Sequence, residues 1–132
     1  YTGGGDQILH VKRSGETANN VRIHANSSNG MGWLIGSGWG IVLQQSGLPV
    51  ASTSTWNHVA VSWDGSTYRF FLNGTQIAST SNSSAPDATS AQVTLGAGQS
   101  GGSPLNGYLD EIRFSNTARY TSNFTPSTTA WC

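Results

Sequence analysis

Six carboxylates are the first residues of this sequence that could do chemistry. They are Asp6, Glu16, Asp64, Asp87, Asp110 and Glu111. A retaining glycosidase needs two carboxyl groups about 5 Å apart, and an inverting enzyme needs a wider gap that admits water. Only Asp110 and Glu111 are neighbours in the chain, and adjacent residues of a strand point to opposite faces. The spacing therefore argues against hydrolysis, and no enzymatic activity is predicted.

Asp110 and Asp64 are the candidate ligands for a metal ion. Asp110 shares strand parity with Ile112 and Phe114. We therefore expect it to point inward, where a carboxylate needs backbone N–H donors or a cation. Calcium takes roughly six to eight oxygen ligands, and Asp64 lies in a loop that could contribute one. Two interpretations stay open, a structural acid that braces a loop and a calcium ligand, so calcium is the one cofactor under consideration.

Other catalytic and metal-binding motifs do not occur. The three histidines, His10, His24 and His58, lie far apart, without a Cys or Glu at zinc-site spacing. The chain contains no G-x-S-x-G elbow. The loop GGSPLNG lacks the lysine of a phosphate-binding loop. Recognition is therefore a better hypothesis than catalysis.

Aromatic and amide side chains could recognise a sugar. Flat sugar faces stack on Trp and Tyr, while amide groups bond the hydroxyls. Trp33 and Trp39 lie among glycines in GMGWLIGSGWG, where a bend could expose an indole. Asn106 and Gln99 are the polar candidates, in the Gly-rich loop 98–107. Core packing is the alternative that stays open for both tryptophans.

The elements that must position these residues are short strands separated by turn signals. Alternation of apolar and polar residues predicts about nine strands. They span residues 7–12, 21–25, 31–37, 39–44, 57–63, 67–73, 75–79, 91–97 and 108–115. A short helical turn is expected near 118–120. Because they lie on or beside regular strands, four further aromatic residues are assigned to the core: Trp56, Trp63, Phe70 and Phe114.

Two turn dipeptides organise the centre of the chain. Asp64-Gly65 and Asn73-Gly74 separate alternating runs, and Asn-Gly tolerates the positive φ angles that a tight hairpin needs. Strands that each have one apolar face must bury it against a second sheet. The pattern predicts an all-β fold, an antiparallel two-sheet sandwich or a barrel.

Composition narrows the possible partners. Charged residues make up 9% of the 132 residues, and six basic residues balance six acidic ones. A nucleic-acid partner would need a basic face, and no run of about 18 apolar residues could span a membrane. The lone cysteine, Cys132, has no intrachain partner for a disulfide. The length favours one domain, residues 1–132.

Three motifs resemble one family. WNHVAVSWDG, followed by YRFFLNG, resembles the middle hairpins of laminin-G-like domains in the concanavalin A-like lectin/glucanase superfamily. NGYLDEIRFS (106–115) is similar to the closing-strand motif of that family. ARYTSNFTP (118–126) is similar to a tail found in phage and bacterial surface proteins. The resemblance implies a jelly-roll sandwich that binds glycans or proteins, sometimes with calcium.

The resemblance also has gaps, which shape the functional expectations. The family usually has one or two strands before QILHV that are not found here, so we expect an N-terminally incomplete piece of a larger protein. The first hypothesis is a non-enzymatic, lectin-like recognition or adhesion module that binds glycan or surface polysaccharide on a virion or cell surface. The alternative is an architectural domain of a phage tail, fibre or decoration, which binds neighbouring subunits and no glycan.

Overall fold

The part of the chain that the structure describes forms eight β-strands. The computed structural model describes residues 6–13, 21–26, 30–37, 40–49, 54–86, 91–98 and 101–129. The strands are β1 (Asp6–Arg13), β2 (Val21–Asn26), β3 (Gly30–Ser37), β4 (Gly40–Leu48), β5 (Val59–Trp63), β6 (Thr67–Leu72), β7 (Thr75–Ser81) and β8 (Ala91–Leu95). Eight of the predicted strands are confirmed, with small differences at their ends.

The strands form two antiparallel sheets. One has five strands in the order β4-β3-β2-β1-β8, and the other has three in the order β5-β6-β7. All the strand pairs are antiparallel. The predicted all-β class and the two-sheet antiparallel sandwich are therefore confirmed.

The core lies between the two sheets. Ile23 and Trp33 come from the five-stranded sheet, and Tyr68 and Phe70 come from the three-stranded sheet. The Trp33 ring lies 5.6 Å from that of Phe70 and 6.1 Å from that of Tyr68, measured between centroids. Such tilted and edge-on pairs add to the stabilisation from apolar burial. Burial raises the pKa of Tyr68 to about 12, while its hydroxyl donates to the Ser84 carbonyl oxygen at 2.7 Å.

The turns that the sequence marked form as expected. Asn73 and Gly74 have φ angles of 51° and 79°, the left-handed values that an Asn-Gly hairpin turn requires. In the β5–β6 turn, Gly65 has a φ of 95°, and Asp64 Oδ1 accepts hydrogen bonds from the backbone N–H groups of Ser66 and Thr67. Local turn chemistry therefore sets the register of this three-stranded meander.

Residues 118–126, here called the tail segment, cover the outer face of the three-stranded sheet. The Tyr120 and Phe124 rings stack 3.6 Å apart, and both make edge contacts with Phe71 and His58. The Phe124 N–H donates to the Gly74 carbonyl oxygen at 2.9 Å. This cover explains why Phe71, on the face of β6 opposite Phe70, is also fully buried.

The tail segment has two further anchors along the sheet. Asn123 Oδ1 accepts a hydrogen bond from the Gln76 N–H at 2.9 Å. The Ser62 hydroxyl donates to the Tyr120 carbonyl oxygen. All three strands of the smaller sheet, or the turns between them, therefore hold the tail segment.

The predicted strand 108–115 is wrong. Residues 101–129 are all described, and none of them lies in a strand. Glu111 has a φ of 53°, which is incompatible with an extended strand, and its N–H bonds to Asp110 Oδ1 at 2.8 Å. Ile112 and Phe114 are exposed, so the core assignment of Phe114 is wrong as well. The helical turn expected near 118–120 does not form.

Candidate functional site

An open cleft lies between the segment before β5 and the loop after β8. It has a volume of about 720 Å³, within the range of small-molecule sites, about 300–1,000 Å³. The described residues of its lining define the Trp56–Tyr108 cleft and are Ser54, Thr55, Trp56, Leu105, Asn106, Gly107 and Tyr108. Two chain segments far apart in sequence therefore meet to form one concave surface.

Two aromatic rings dominate this surface. The Trp56 side chain is 70% exposed and that of Tyr108 is 87% exposed. Most of the apolar surface of these two rings is therefore open to a ligand. Because large aromatic side chains gain stability from burial, a ligand that covered them would be stabilised by the contact. An amide from Asn106 and hydroxyl groups from Ser54 and Thr55 line the same cleft, and these groups can both donate and accept hydrogen bonds.

The β6–β7 turn positions residues 54–58, the first lip of the cleft, which carries Trp56. Asn73 Oδ1 accepts from the His58 N–H at 2.9 Å, and Asn73 Nδ2 donates to Asn57 Oδ1 at 3.1 Å. Asn57 in turn donates from Nδ2 to the Thr55 carbonyl oxygen at 3.1 Å. Trp56 thus lies between two residues whose positions are set by hydrogen bonds.

Backbone conformation and burial complete this lip. Ser54 has a φ of 60°, a conformation that costs a residue with a Cβ roughly 1–2 kcal/mol. Such residues concentrate at ligand sites. His58 is half-buried against the tail segment, and this burial lowers its pKa. His58 is therefore neutral near pH 7 and adds no charge beside the cleft.

Backbone hydrogen bonds hold residues 105–108, the second lip of the cleft, in the loop after β8. The Leu105 N–H donates to the Gly96 carbonyl oxygen at 2.7 Å, and the Gly96 N–H donates to the Ile8 carbonyl oxygen at 3.0 Å. Gly96 has a φ of 70° and lies against the Leu109 side chain. The loop is thereby held against Gly96 on either side of residues 106–108, and Gly96 itself bonds β1.

The predicted ligand residues have different outcomes. Asn106 lines the cleft. Trp33 has no exposed surface. Its strand, β3, lies between β2 and β4, and the face of β3 that carries Trp33 packs on the other sheet. In this structure it takes the core role that the sequence left as its alternative, and its indole cannot stack on a ligand. Trp39 and Gln99 lie outside the described residues.

Asp64 has a structural role at the β5–β6 turn. Its Oδ2 lies 2.6 Å from Arg69 Nη1, and its Oδ1 accepts from the Ser66 hydroxyl as well as from the backbone. The Arg69 guanidinium, with the hydrogen bonds from Ser66 and Thr67, holds the pKa of Asp64 well below its usual range. Bracing of a loop, the interpretation first considered for Asp110, thus describes Asp64.

Asp110 lies at the surface rather than inside. The strand parity that should have turned it inward does not apply, because residues 108–115 are not extended around Glu111. Among the described residues, no three His, Cys, Asp or Glu side chains form a group that could hold a metal ion. The structure therefore does not bring Asp110 and Asp64 into such a group.

Two residues of the cleft were missed by the sequence patterns. Trp56 was assigned to the core, which is wrong, and Tyr108 was assigned to a strand. A signal for Trp56 existed: it follows the Ser/Thr-rich run STST and precedes the first alternating residue of β5 by three positions. Tyr108 directly follows Asn106-Gly107, a turn dipeptide. Aromatic residues beside such turns are not constrained by strand parity.

Comparison with known proteins gives a family. A laminin G family model, described as concanavalin A-like lectin/glucanases superfamily, matches residues 2–123. No curated protein and no solved structure shows significant similarity to the chain. In the part of the chain that the structure describes, no helix has the length and apolarity needed to cross a membrane.

Proposed function

The chain belongs to the concanavalin A-like lectin/glucanases superfamily, and from this premise we propose that it is a non-enzymatic, lectin-like recognition module that binds glycan. The Trp56–Tyr108 cleft is the proposed site. The observation that carries the proposal is the pairing of two highly exposed aromatic rings with amide and hydroxyl groups in one concave surface. Aromatic faces with a few polar groups are the usual means of binding a neutral, flat ligand.

Two observations support the non-enzymatic part of the proposal, since the superfamily contains glucanases as well as lectins. Among the described residues that line the cleft there is no carboxylate, whereas glycoside hydrolysis needs two of them, one on each side of the scissile bond. Asp64 is already bound on both oxygens at the β5–β6 turn. Placement outside the cell, on a virion or cell surface, belongs to the same proposal and is supported by the resemblance of residues 118–126 to surface-protein tails.

Glycan arrays followed by calorimetry test the site. The Trp56→Ala and Tyr108→Ala variants should each bind about fivefold more weakly, because each ring contributes on the order of 1 kcal/mol of stacking. Phe114→Ala is the matched control: its ring is 65% exposed but does not line the cleft. Equal affinity for the wild type and both cleft variants would rule out this site. Absence of any glycan ligand would rule out the function.

A second candidate function is binding to protein neighbours in a particle or surface assembly. The observation that favours it is β8, an edge strand whose Val93 and Leu95 side chains are exposed. Exposed apolar edge strands are templates for pairing with another chain. If this function is correct, light scattering over a concentration series should show association that Val93→Lys abolishes and Gln92→Lys retains. A stable monomer at all concentrations would count against self-assembly through this edge.

A further inference from the structure

We infer that the Trp56–Tyr108 cleft selects uncharged saccharides and binds them without calcium. This inference rests on the proposed function and specifies its ligand class. None of the seven described residues that line the cleft is acidic or basic. The cleft can therefore offer aromatic stacking and neutral hydrogen bonds, but no ion pair to a uronic or sialic acid.

The absence of charge extends through both segments of the chain that form the cleft. Residues 23–63 contain no Asp, Glu, Lys or Arg, and neither do residues 88–109. The six acidic and six basic residues of the chain all lie elsewhere. This statement depends on sequence alone, so it includes the residues that flank the described lips. Movement of either lip would still bring no charged side chain from these segments into the cleft.

The Asp64–Arg69 pair is too far along the hairpin to contribute. Trp56 precedes β5, whereas Asp64 follows it. A strand of five residues, at about 3.3 Å per residue, separates them by roughly 16 Å, about twice the Debye length at physiological salt. The two charges also pair with each other at 2.6 Å. Neither an anionic sugar nor a cation in the cleft would gain from them.

The two charged residues nearest to Tyr108 in sequence are acidic. Asp110 and Glu111, two and three residues after Tyr108, are both exposed carboxylates. A uronate in the cleft would lose hydration and meet no cation from the described lining residues. A calcium ion would need several more oxygen ligands than two adjacent surface acids supply. A neutral hexose incurs neither cost.

Matched oligosaccharide pairs test this selectivity. Each pair has the same ring and linkage and differs only at C6, which carries either a hydroxymethyl group or a carboxylate: galactan and galacturonan, glucan and glucuronan, mannan and mannuronan. In the pair that the protein recognises, we expect the neutral oligosaccharide to bind at least about tenfold tighter than the acidic one. Its affinity should be the same at about 0.01 and 0.15 M salt, and unchanged by EDTA.

A gain of charge provides the converse experiment. Asn106→Arg places a cation on the cleft surface and should shift the preference at least about tenfold toward the acidic member. The Phe114→Arg variant adds the same charge outside the cleft and should leave the preference unchanged.

Three results are distinguishable. Neutral binding that is lost in Trp56→Ala and insensitive to salt and EDTA supports the inference. Acidic or calcium-dependent binding that is also lost in Trp56→Ala overturns the inference and leaves the glycan-binding function in place. Failure of every neutral and acidic oligosaccharide to bind the wild type overturns the function, and the inference with it.

Discussion

Replacing Gly74 by alanine should destabilise the fold far more than the same change at Gly65. Both glycines have positive φ angles, 79° and 95°, where a Cβ costs roughly 1–2 kcal/mol. At Gly74, however, a Cβ would overlap the Phe124 carbonyl oxygen and lie 2.8 Å from Pro126 Cδ, whereas at Gly65 nothing lies within 4 Å. Because the obstacle at Gly74 is backbone, the tail segment itself must move.

The contacts that the tail segment would lose set the magnitude. Displacement breaks the hydrogen bond from the Phe124 N–H to Gly74, worth about 1 kcal/mol. It also separates the Phe124 ring from Phe71 and His58, at about 0.5–1.5 kcal/mol for each aromatic contact. With the backbone strain, the expected loss is about 3–6 kcal/mol for Gly74→Ala, against about 1–2 kcal/mol for Gly65→Ala. Typical domains have only about 5–15 kcal/mol in total.

Urea unfolding followed by tryptophan fluorescence measures both losses, provided that the slope m stays the same in all three proteins. Glycan affinity, measured well below the unfolding transition, should change by less than about twofold in Gly74→Ala, because the side chain of Asn73, and not Gly74, holds the segment that carries Trp56. Equal destabilisation by the two substitutions would refute the packing of the tail segment on the β6–β7 turn.

Two further predictions concern Trp33 in the core and His58 under the tail segment. Trp33→Ala should cost about 3–5 kcal/mol of stability and leave glycan affinity unchanged; a stably folded Trp33→Ala protein that had lost its ligand would restore the sugar-stacking role. Burial lowers the pKa of His58 from 6.5 in the folded state, so the unfolded chain takes up its proton first as the pH falls. The free energy of unfolding should therefore be greatest above about pH 6.5 and decline below it. In urea titrations at about pH 7.5 and 5, His58→Gln should show a smaller decline than the wild type. Some decline should remain, because burial and the nearby Arg22 also lower the pKa of His24. An undiminished slope in His58→Gln would contradict the packing of the tail segment over His58.

The parts of the fold that sequence patterns predicted are those set by local rules. Alternation assigned Tyr68 and Phe70 to one face of β6 because side chains of a strand alternate strictly. The Asn73-Gly74 turn was predictable because few dipeptides tolerate two positive φ angles. These rules involve residues close in sequence, so they need no knowledge of what packs on either face.

The failures arise where long-range contacts decide. Alternation in YLDEIRFS predicted a strand, but a strand also needs a partner, and Glu111 adopts a φ of 53° instead. Phe71 was known to lie opposite Phe70, yet its burial depends on Phe124, more than 50 residues later in the chain. The cleft could be predicted only in part: Asn106 was a candidate from its loop and lies in the lining, whereas Trp56, in the other segment of the lining, lies some 50 residues earlier.

The β6–β7 turn makes contacts with both the first lip of the cleft and the tail segment. The side chain of Asn73 holds the lip of the cleft through His58 and Asn57, and the carbonyl group of Gly74 holds the tail segment through Phe124. One dipeptide therefore makes both sets of contacts with different atoms. The conformation of the turn is fixed by backbone φ angles rather than by a flexible side chain, so it can serve as a rigid reference for both. Trp56 is exposed on a loop, and its placement for stacking depends on the hydrogen bonds from the Asn73 side chain, because an aromatic ring on an unanchored loop would pay the entropy of ordering each time it bound a ligand.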